Sequence, residues 1–199
     1  MIVLLVIDMQ VGLFGVETPR LDAEGVVERI NAVGRVVRRA GGLVAFIQHD
    51  GPPGDTFEPG SDGWRLLPSL ERQDVDLVIH KRACDAFYET DLAEVLRRHE
   101  ARRLIVTGCA TDFCVDTTVR AAASRDYEIV VVEDGHTTAD RPHVDALAVI
   151  RHHNWVWENL IHPRTRIEVL PATSVLARLE ASMAKADRNP AAGASNAPA

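Results

Sequence analysis

The sequence predicts a single α/β domain: a doubly wound, mostly parallel sheet of six strands with helices on both faces. Three observations lead there. Apolar runs rich in β-branched residues recur along the chain without the alternation of a half-exposed strand. Amphipathic stretches of helical length lie between them. The chain, at 199 residues, is long enough to bury one continuous core. Strands covered on both faces read as unbroken apolar runs, and strands alternating with helices build parallel sheets.

The first strand is Ile2-Val3-Leu4-Leu5-Val6-Ile7, ending at Asp8. The first helix, Ala23 to Ala40, places Val26, Val27, Ile30, Val33 and Val37 on one side. Further runs follow at Leu43 to Ile47, Leu77 to Ile79, Leu104 to Thr107 and Ile129 to Val132, with a weaker one at Arg166 to Leu170. The intervening helices are predicted over Asp91 to His99, Asp112 to Ser124, Pro142 to His153 and Ala172 to Ala184. Pro142 suits a first helical turn, where no N–H is needed. Gly51 to Gly63, with four glycines and three prolines, reads as a loop inside the domain rather than a boundary. The domain is expected over 1–183. Residues 184–199, ending in a Pro-, Ala-, Gly- and Asn-rich stretch without periodicity, read as a disordered tail.

A net charge of −7 argues against nucleic-acid binding through a bulk positive field, while leaving a small polar substrate open. The apolar start is too short for a membrane span and lacks the basic leader of a signal peptide, so no membrane association is expected. Three cysteines, Cys84, Cys109 and Cys114, form neither a closed disulfide set nor a C-x-x-C pair. Free thiols imply a reducing compartment, which places the protein in the cytoplasm.

Ligands in open α/β sheets bind beyond the carboxyl ends of the strands. Asp8 closes the first strand, Lys81 follows the third, and Cys114 opens the helix after the fourth. A cation and a helix N-terminus favour the thiolate, so Cys114 is expected to have a depressed pKa. A nearby carboxylate can take the thiol proton and deliver it to a leaving amine. Taken singly, each residue has a bland reading: a helix cap, a solvated lysine, a core cysteine. Their shared location is what argues for a site.

Three segments carry a resemblance. Val6-Ile7-Asp8-Met9-Gln10, Lys81-Arg82-Ala83-Cys84-Asp85-Ala86-Phe87 and Gly108-Cys109-Ala110-Thr111-Asp112-Phe113-Cys114-Val115 resemble, in order and spacing, the motifs of isochorismatase-like cysteine hydrolases. The resemblance covers roughly Ile2 to Leu170. It implies a strand order of 3-2-1-4-5-6, an Asp8–Lys81–Cys114 triad, and a cis peptide before Ala110. That peptide would set the N–H groups of Ala110 and Cys114 as an oxyanion hole. It further implies cleavage of a C–N bond in a small amide, carbamoyl or cyclic amide through a thioester, with a homo-oligomer, dimer or tetramer, as the assembly. Vinyl ether hydrolysis of the isochorismatase type, or a non-catalytic binding protein of the same fold, are the alternatives.

Related nicotinamidases carry a metal site read as D-x-H plus a later histidine. Here Gln48-His49-Asp50-Gly51 lacks that spacing, so neither metal nor cofactor is expected. Gln10, Phe14, Trp64, Phe87 and His136 are candidate substrate contacts, each with a packing or loop-holding alternative. Cys84 and Cys109 read as small structural residues. The aromatic segment His152 to Trp157 is assigned to an interface between copies.

Overall fold

The computed structural model describes residues 1–15, 17 and 19–188. Six strands, β1 (Ile2–Ile7), β2 (Leu43–His49), β3 (Leu77–Lys81), β4 (Arg103–Cys109), β5 (Glu128–Thr137) and β6 (Ile167–Leu170), pair in parallel in the order β3-β2-β1-β4-β5-β6. This is the doubly wound sheet, and the strand order, that the sequence reading anticipated. The helices are α1 (Ala23–Arg39), α2 (Leu92–Arg98), α3 (Asp116–Ala123), α4 (Ala146–Glu158) and α5 (Ala172–Arg188). Among the described residues no helix is long and apolar enough to cross a membrane.

Alternation along β1 divides the core. Leu4 and Val6 pack with α1 and α5, whereas Val3, Leu5 and Ile7 pack with α2, α3 and Trp157 of α4. All five are fully buried, and each contributes about 1.5–3 kcal/mol relative to an exposed side chain. The chain winds outward in both directions from β1 and β4, so their carboxyl ends flank the point where strand order reverses. Open α/β sheets form their binding crevice at that point.

Several boundaries differ from the sequence reading. Strands β2, β3, β4 and β5 all extend beyond their apolar runs at the carboxyl end, taking in Gln48, His49, His80, Lys81, Gly108, Cys109, His136 and Thr137. A π-helical turn, Thr111–Val115, precedes α3. Helix α4 begins at Ala146, not Pro142, because the Asp145 side chain accepts from the Ala148 N–H and caps it there. Pro142 instead occupies the tight turn bridged by Arg141 and Val144, a position its fixed φ suits. Helix α5 runs to Arg188, past the expected start of the tail at residue 184. Residues 189–199 of that tail lie outside the described residues.

Two backbone positions bring β1 and β4 into register at the crevice. Asp8 adopts a left-handed conformation (φ 46), which Asp tolerates better than most residues, and its N–H donates to Ile47 O at 2.8 Å. Gly108 has φ 125, and a Cβ there would lie 2.2 Å from Ile7 O. No side chain fits between the strand ends. Gly108→Ala is therefore expected to prevent folding or to cost more than about 3 kcal/mol, read by denaturant titration. Gly41→Ala, at φ 74 with open space around it, pays only the left-handed backbone cost of about 1–2 kcal/mol. Equal losses at the two glycines would mean that conformation, and not the β1–β4 approach, decides the effect at Gly108.

Candidate active site

Lys81, the last residue of β3, is buried, and its ammonium has three partners. Nζ lies 2.7 Å from Asp8 Oδ2, donates to Ala83 O at 2.9 Å, and donates to Cys114 Sγ at 3.4 Å. An ammonium carries three N–H donors, so this one is saturated and its position is defined. Asp8 is also buried, and its second oxygen, Oδ1, has no hydrogen-bond partner. The Asp8 carboxylate and the Cys114 thiol are near enough for each to weigh on the other's ionisation. The three side chains named from sequence thus meet at one point.

Their electrostatics differ from the sequence expectation in one respect. Burial and the Asp8 charge push the Cys114 thiol well above its ordinary value, and Lys81 only partly opposes them. Burial also raises Asp8, against the pull of Lys81. For Lys81, burial alone would lower the pKa, but Asp8 and Cys114 outweigh it and the pKa is raised. The depressed thiol pKa expected from a cation and a helix terminus is not what this geometry produces. Cys114 lies half-buried in the π-helical turn before α3 and faces an anion as well as a cation.

The peptide between Cys109 and Ala110 is cis, where the resemblance implied. Ala110 is buried, and its carbonyl accepts from the N–H groups of Phe113 and Val115, closing the turn that carries Cys114. A second fastening holds Asp112. Arg141 donates to both Asp112 oxygens at 2.8 and 2.9 Å, and Thr138 Oγ1 donates to Oδ1 at 2.7 Å. Cys109 is fully buried with its thiol pushed up to about 12, and Cys84 is exposed; neither is disulfide-bonded.

The predicted substrate contacts fall elsewhere for the most part. Gln10 is buried, and its amide is committed to His49 O, Trp64 O and the His49 N–H; it fastens the loop. Phe87 is buried in the core, stacked on Tyr127 at 6.0 Å with Arg125 over its ring. Phe14 packs against the α1/α5 side of the core. Trp64 donates to Asp50 Oδ1 at 2.7 Å and stacks on His80 at 5.7 Å. His136 is buried and bonded at both ring nitrogens, to Thr111 and Asn154. In the segment assigned to an interface, Trp157 is core and Trp155 is exposed.

What sequence reasoning could not outline is the set of recesses around these strand ends. Two recesses of similar volume open near the strand ends. One of 580 Å³, between Asp22, Arg29, Asp134, Leu147 and Asn154, contains none of Asp8, Lys81 and Cys114. The other, of 570 Å³, is lined by His49, Pro52, Pro53, Glu58, Pro59 and Arg82 and likewise contains none of the three. Its His49 pairs in register with Lys81 across β2 and β3, and burial together with the Lys81 charge lowers its pKa. An adjoining 290 Å³ recess reaches Lys81 and Ala83 and shares Asp50 and Arg82. The sequence signals for this region were the stretch weighed as a metal site and the glycine- and proline-rich loop Gly51 to Gly63. A metal does not fit there: Asp50 Oδ1 is taken by Trp64 Nε1 and by His80 Nδ1 at 3.0 Å, and His49 sets its ring edge-on to Phe57.

Comparison with known proteins finds a match between residues 3–157 and the isochorismatase domain. The chain is 32% identical over 139 residues to a streptothricin hydrolase of Streptomyces noursei, covering 70% of this chain but 55% of that protein. It is 30% identical to the ureidoacrylate amidohydrolase RutB of Methylorubrum extorquens, covering 70% and 71% of the two chains. A crystal structure of an isochorismatase family protein aligns with TM-score 0.79 at 30% identity, over 85% of this chain and 97% of the other. A family structure from Chromobacterium violaceum aligns with TM-score 0.81 at 27% identity, over 90% and 93%.

The electrostatics make a signed prediction. Asp8→Asn removes the anion that holds the thiol up and leaves Lys81 in place, so the Cys114 pKa falls. Alkylation of Cys114 at pH 7 should then speed up by about tenfold or more, one pKa unit being a factor of ten in thiolate. An unchanged or slower rate, followed on the Cys114 peptide by mass spectrometry, would show that Asp8 does not control the thiol.

Proposed function

The chain belongs to the isochorismatase family, and we propose that it is a hydrolase that cleaves a C–N bond of a small amide, carbamoyl or cyclic amide compound through a thioester on Cys114. One observation carries this reading. Lys81 Nζ contacts both Asp8 Oδ2 at 2.7 Å and Cys114 Sγ at 3.4 Å, at the crevice where strand order reverses. The amidohydrolase among its relatives supports the bond type.

In the resting site the sulfur is protonated and Asp8 is the anion paired with Lys81. As Sγ bonds to the substrate carbonyl carbon, its proton passes to Asp8. Thiol plus carboxylate become sulfide and carboxylic acid, and the buried net charge does not change. The raised pKa of Asp8 makes it a competent base for this transfer. The carbonyl oxygen gathers negative charge, which the N–H groups of Ala110 and Cys114 stabilise; such donors are commonly worth about 3 kcal/mol each. Asp8 then gives its proton to the leaving nitrogen, the C–N bond breaks, and the thioester remains. Water adds to the thioester with Asp8 again as base, the acid leaves, and the proton returns to sulfur. Substrate enters through the recess beside His49 and Arg82, under the 51–63 loop.

The experiment is ammonia or amine release from a panel of small amides, ureido compounds and lactams. Cys114→Ala should abolish turnover and keep the fold, since Ala suits a helical turn. Full activity in Cys114→Ala would overturn the thiol mechanism, and a panel without any turnover would favour a binding protein. Activity is further expected to survive prolonged chelation, because Asp50 is already engaged by Trp64 and His80. Loss on chelation with recovery on zinc would place a metal at other residues.

A further inference from the structure

We propose that His136 is a positioning residue for the turn that carries Cys114, acting through the Thr111 hydroxyl and held in one tautomer by Asn154; its link to turnover rests on the function proposed above. The placement begins in the sheet. Val106 pairs with Val131, and Gly108 pairs with His136, so two steps along β4 match five along β5. Such a bulge re-aims a side chain. Gly135 makes it possible, since a Cβ there would lie 2.7 Å from the Val132 side chain and 3.2 Å from that of Thr107. His136 is thereby set beside the chain that leads through Cys109 and Ala110 to Thr111.

The hydrogen bonds then assign the protons. Asn154 Nδ2 donates to Glu133 O at 3.1 Å, so Asn154 presents Oδ1 to the histidine. His136 Nε2 lies 2.9 Å from that oxygen and carries the hydrogen. Nδ1 is left as a bare acceptor and receives the Thr111 hydroxyl at 2.9 Å. Burial keeps the ring neutral, its pKa lowered to about 4. Thr111 is fully buried and is the first residue of the five-residue π-helical turn, three before Cys114.

The far end of the turn is held from the same helix. Trp157 Nε1 donates to Asp116 Oδ1 at 2.8 Å, and Asn154 and Trp157, three apart on α4, share one face. His136 fills the space between them, edge-on to Trp157 at 5.1 Å. Helix α4 thus grips the nucleophile turn at both ends, directly at Asp116 and through His136 at Thr111. A histidine that only filled the core would not need its acceptor nitrogen aimed at the turn.

The test uses the full chain and needs no substrate for its first arm. Alkylation of Cys114 by iodoacetamide is followed by mass spectrometry in wild type, Thr111→Val, Thr111→Ser and His136→Asn, alongside thermal midpoints. Thr111→Val keeps the shape and removes the hydroxyl. It should slow Cys114 alkylation by about tenfold or more, the scale expected for a misplaced reacting group. Thr111→Ser should restore the rate, and His136→Asn, which keeps an acceptor near the Nδ1 position, should fall between. Any substrate found should show the same order in kcat with KM unchanged. Wild-type alkylation in Thr111→Val, or failure of Thr111→Ser to restore it, overturns the proposal and leaves His136 a packing residue. An amide panel without turnover would defeat the amidohydrolase reading alone, since the alkylation arm stands without it.

Discussion

An ammonium ion taken out of water is tolerated in a protein only where nearby groups replace its hydration. Lys81 meets that demand with three acceptors: a carboxylate, a main-chain carbonyl and a sulfur. The arrangement can hold one anion at a time. With Asp8 ionised, a thiolate at Cys114 would be a second, unmatched charge, and the raised pKa of the thiol expresses that. Proton transfer from Cys114 to Asp8 avoids the problem by exchanging one anion for another. Much of the local structure serves this pairing. Asp8 turns into a left-handed conformation, Gly108 surrenders its side chain, and the ends of β1, β3 and β4 converge on one ammonium.

The fold was largely legible because its signal is thermodynamic and repeated. Strands buried on both faces must be apolar throughout, and each such run in the sequence became a strand. Asp8, Lys81 and Cys114 were legible for a different reason: they lie at strand ends or just beyond them, where sheets of this kind place their chemistry. The thiol's ionisation was not legible. A cation and a turn at a helix start are visible in sequence, but burial and the distance to a second anion are not, and here those two dominate.

The strand ends show where pattern reading fails and why. Hydrophobic runs stopped at Ile47, Ile79, Thr107 and Val132, yet every one of these strands runs on, β2, β3 and β5 through polar residues and β4 through Gly108 and Cys109. Among those residues Lys81 serves the site while Gln48 and His136 hold the scaffold around it, so a criterion built on apolar burial loses the strand where function begins. Gln10 and Phe87 mislead in the opposite way. Both sit inside motif segments, and both spend their side chains on scaffold: one on main-chain groups of a loop, the other on an aromatic stack. Proximity to a site residue in sequence does not distinguish a wall from a beam.

The covering loop is attached almost wholly through its main chain. Gln10 and Gln48 both donate to Trp64 O, the Val11 N–H to Arg65 O, and the Gly12 N–H to Gly63 O. None of these bonds consults the side chains at Pro52, Pro53, Glu58 or Pro59, which line the recess. The molecule is therefore divided into a fixed engine and an exchangeable cassette. Substitutions in the cassette leave the charge balance at Lys81 untouched, so the recess can change shape by steps that keep the fold. A library confined to those four positions would explore the chemistry of the scaffold without risking its machinery.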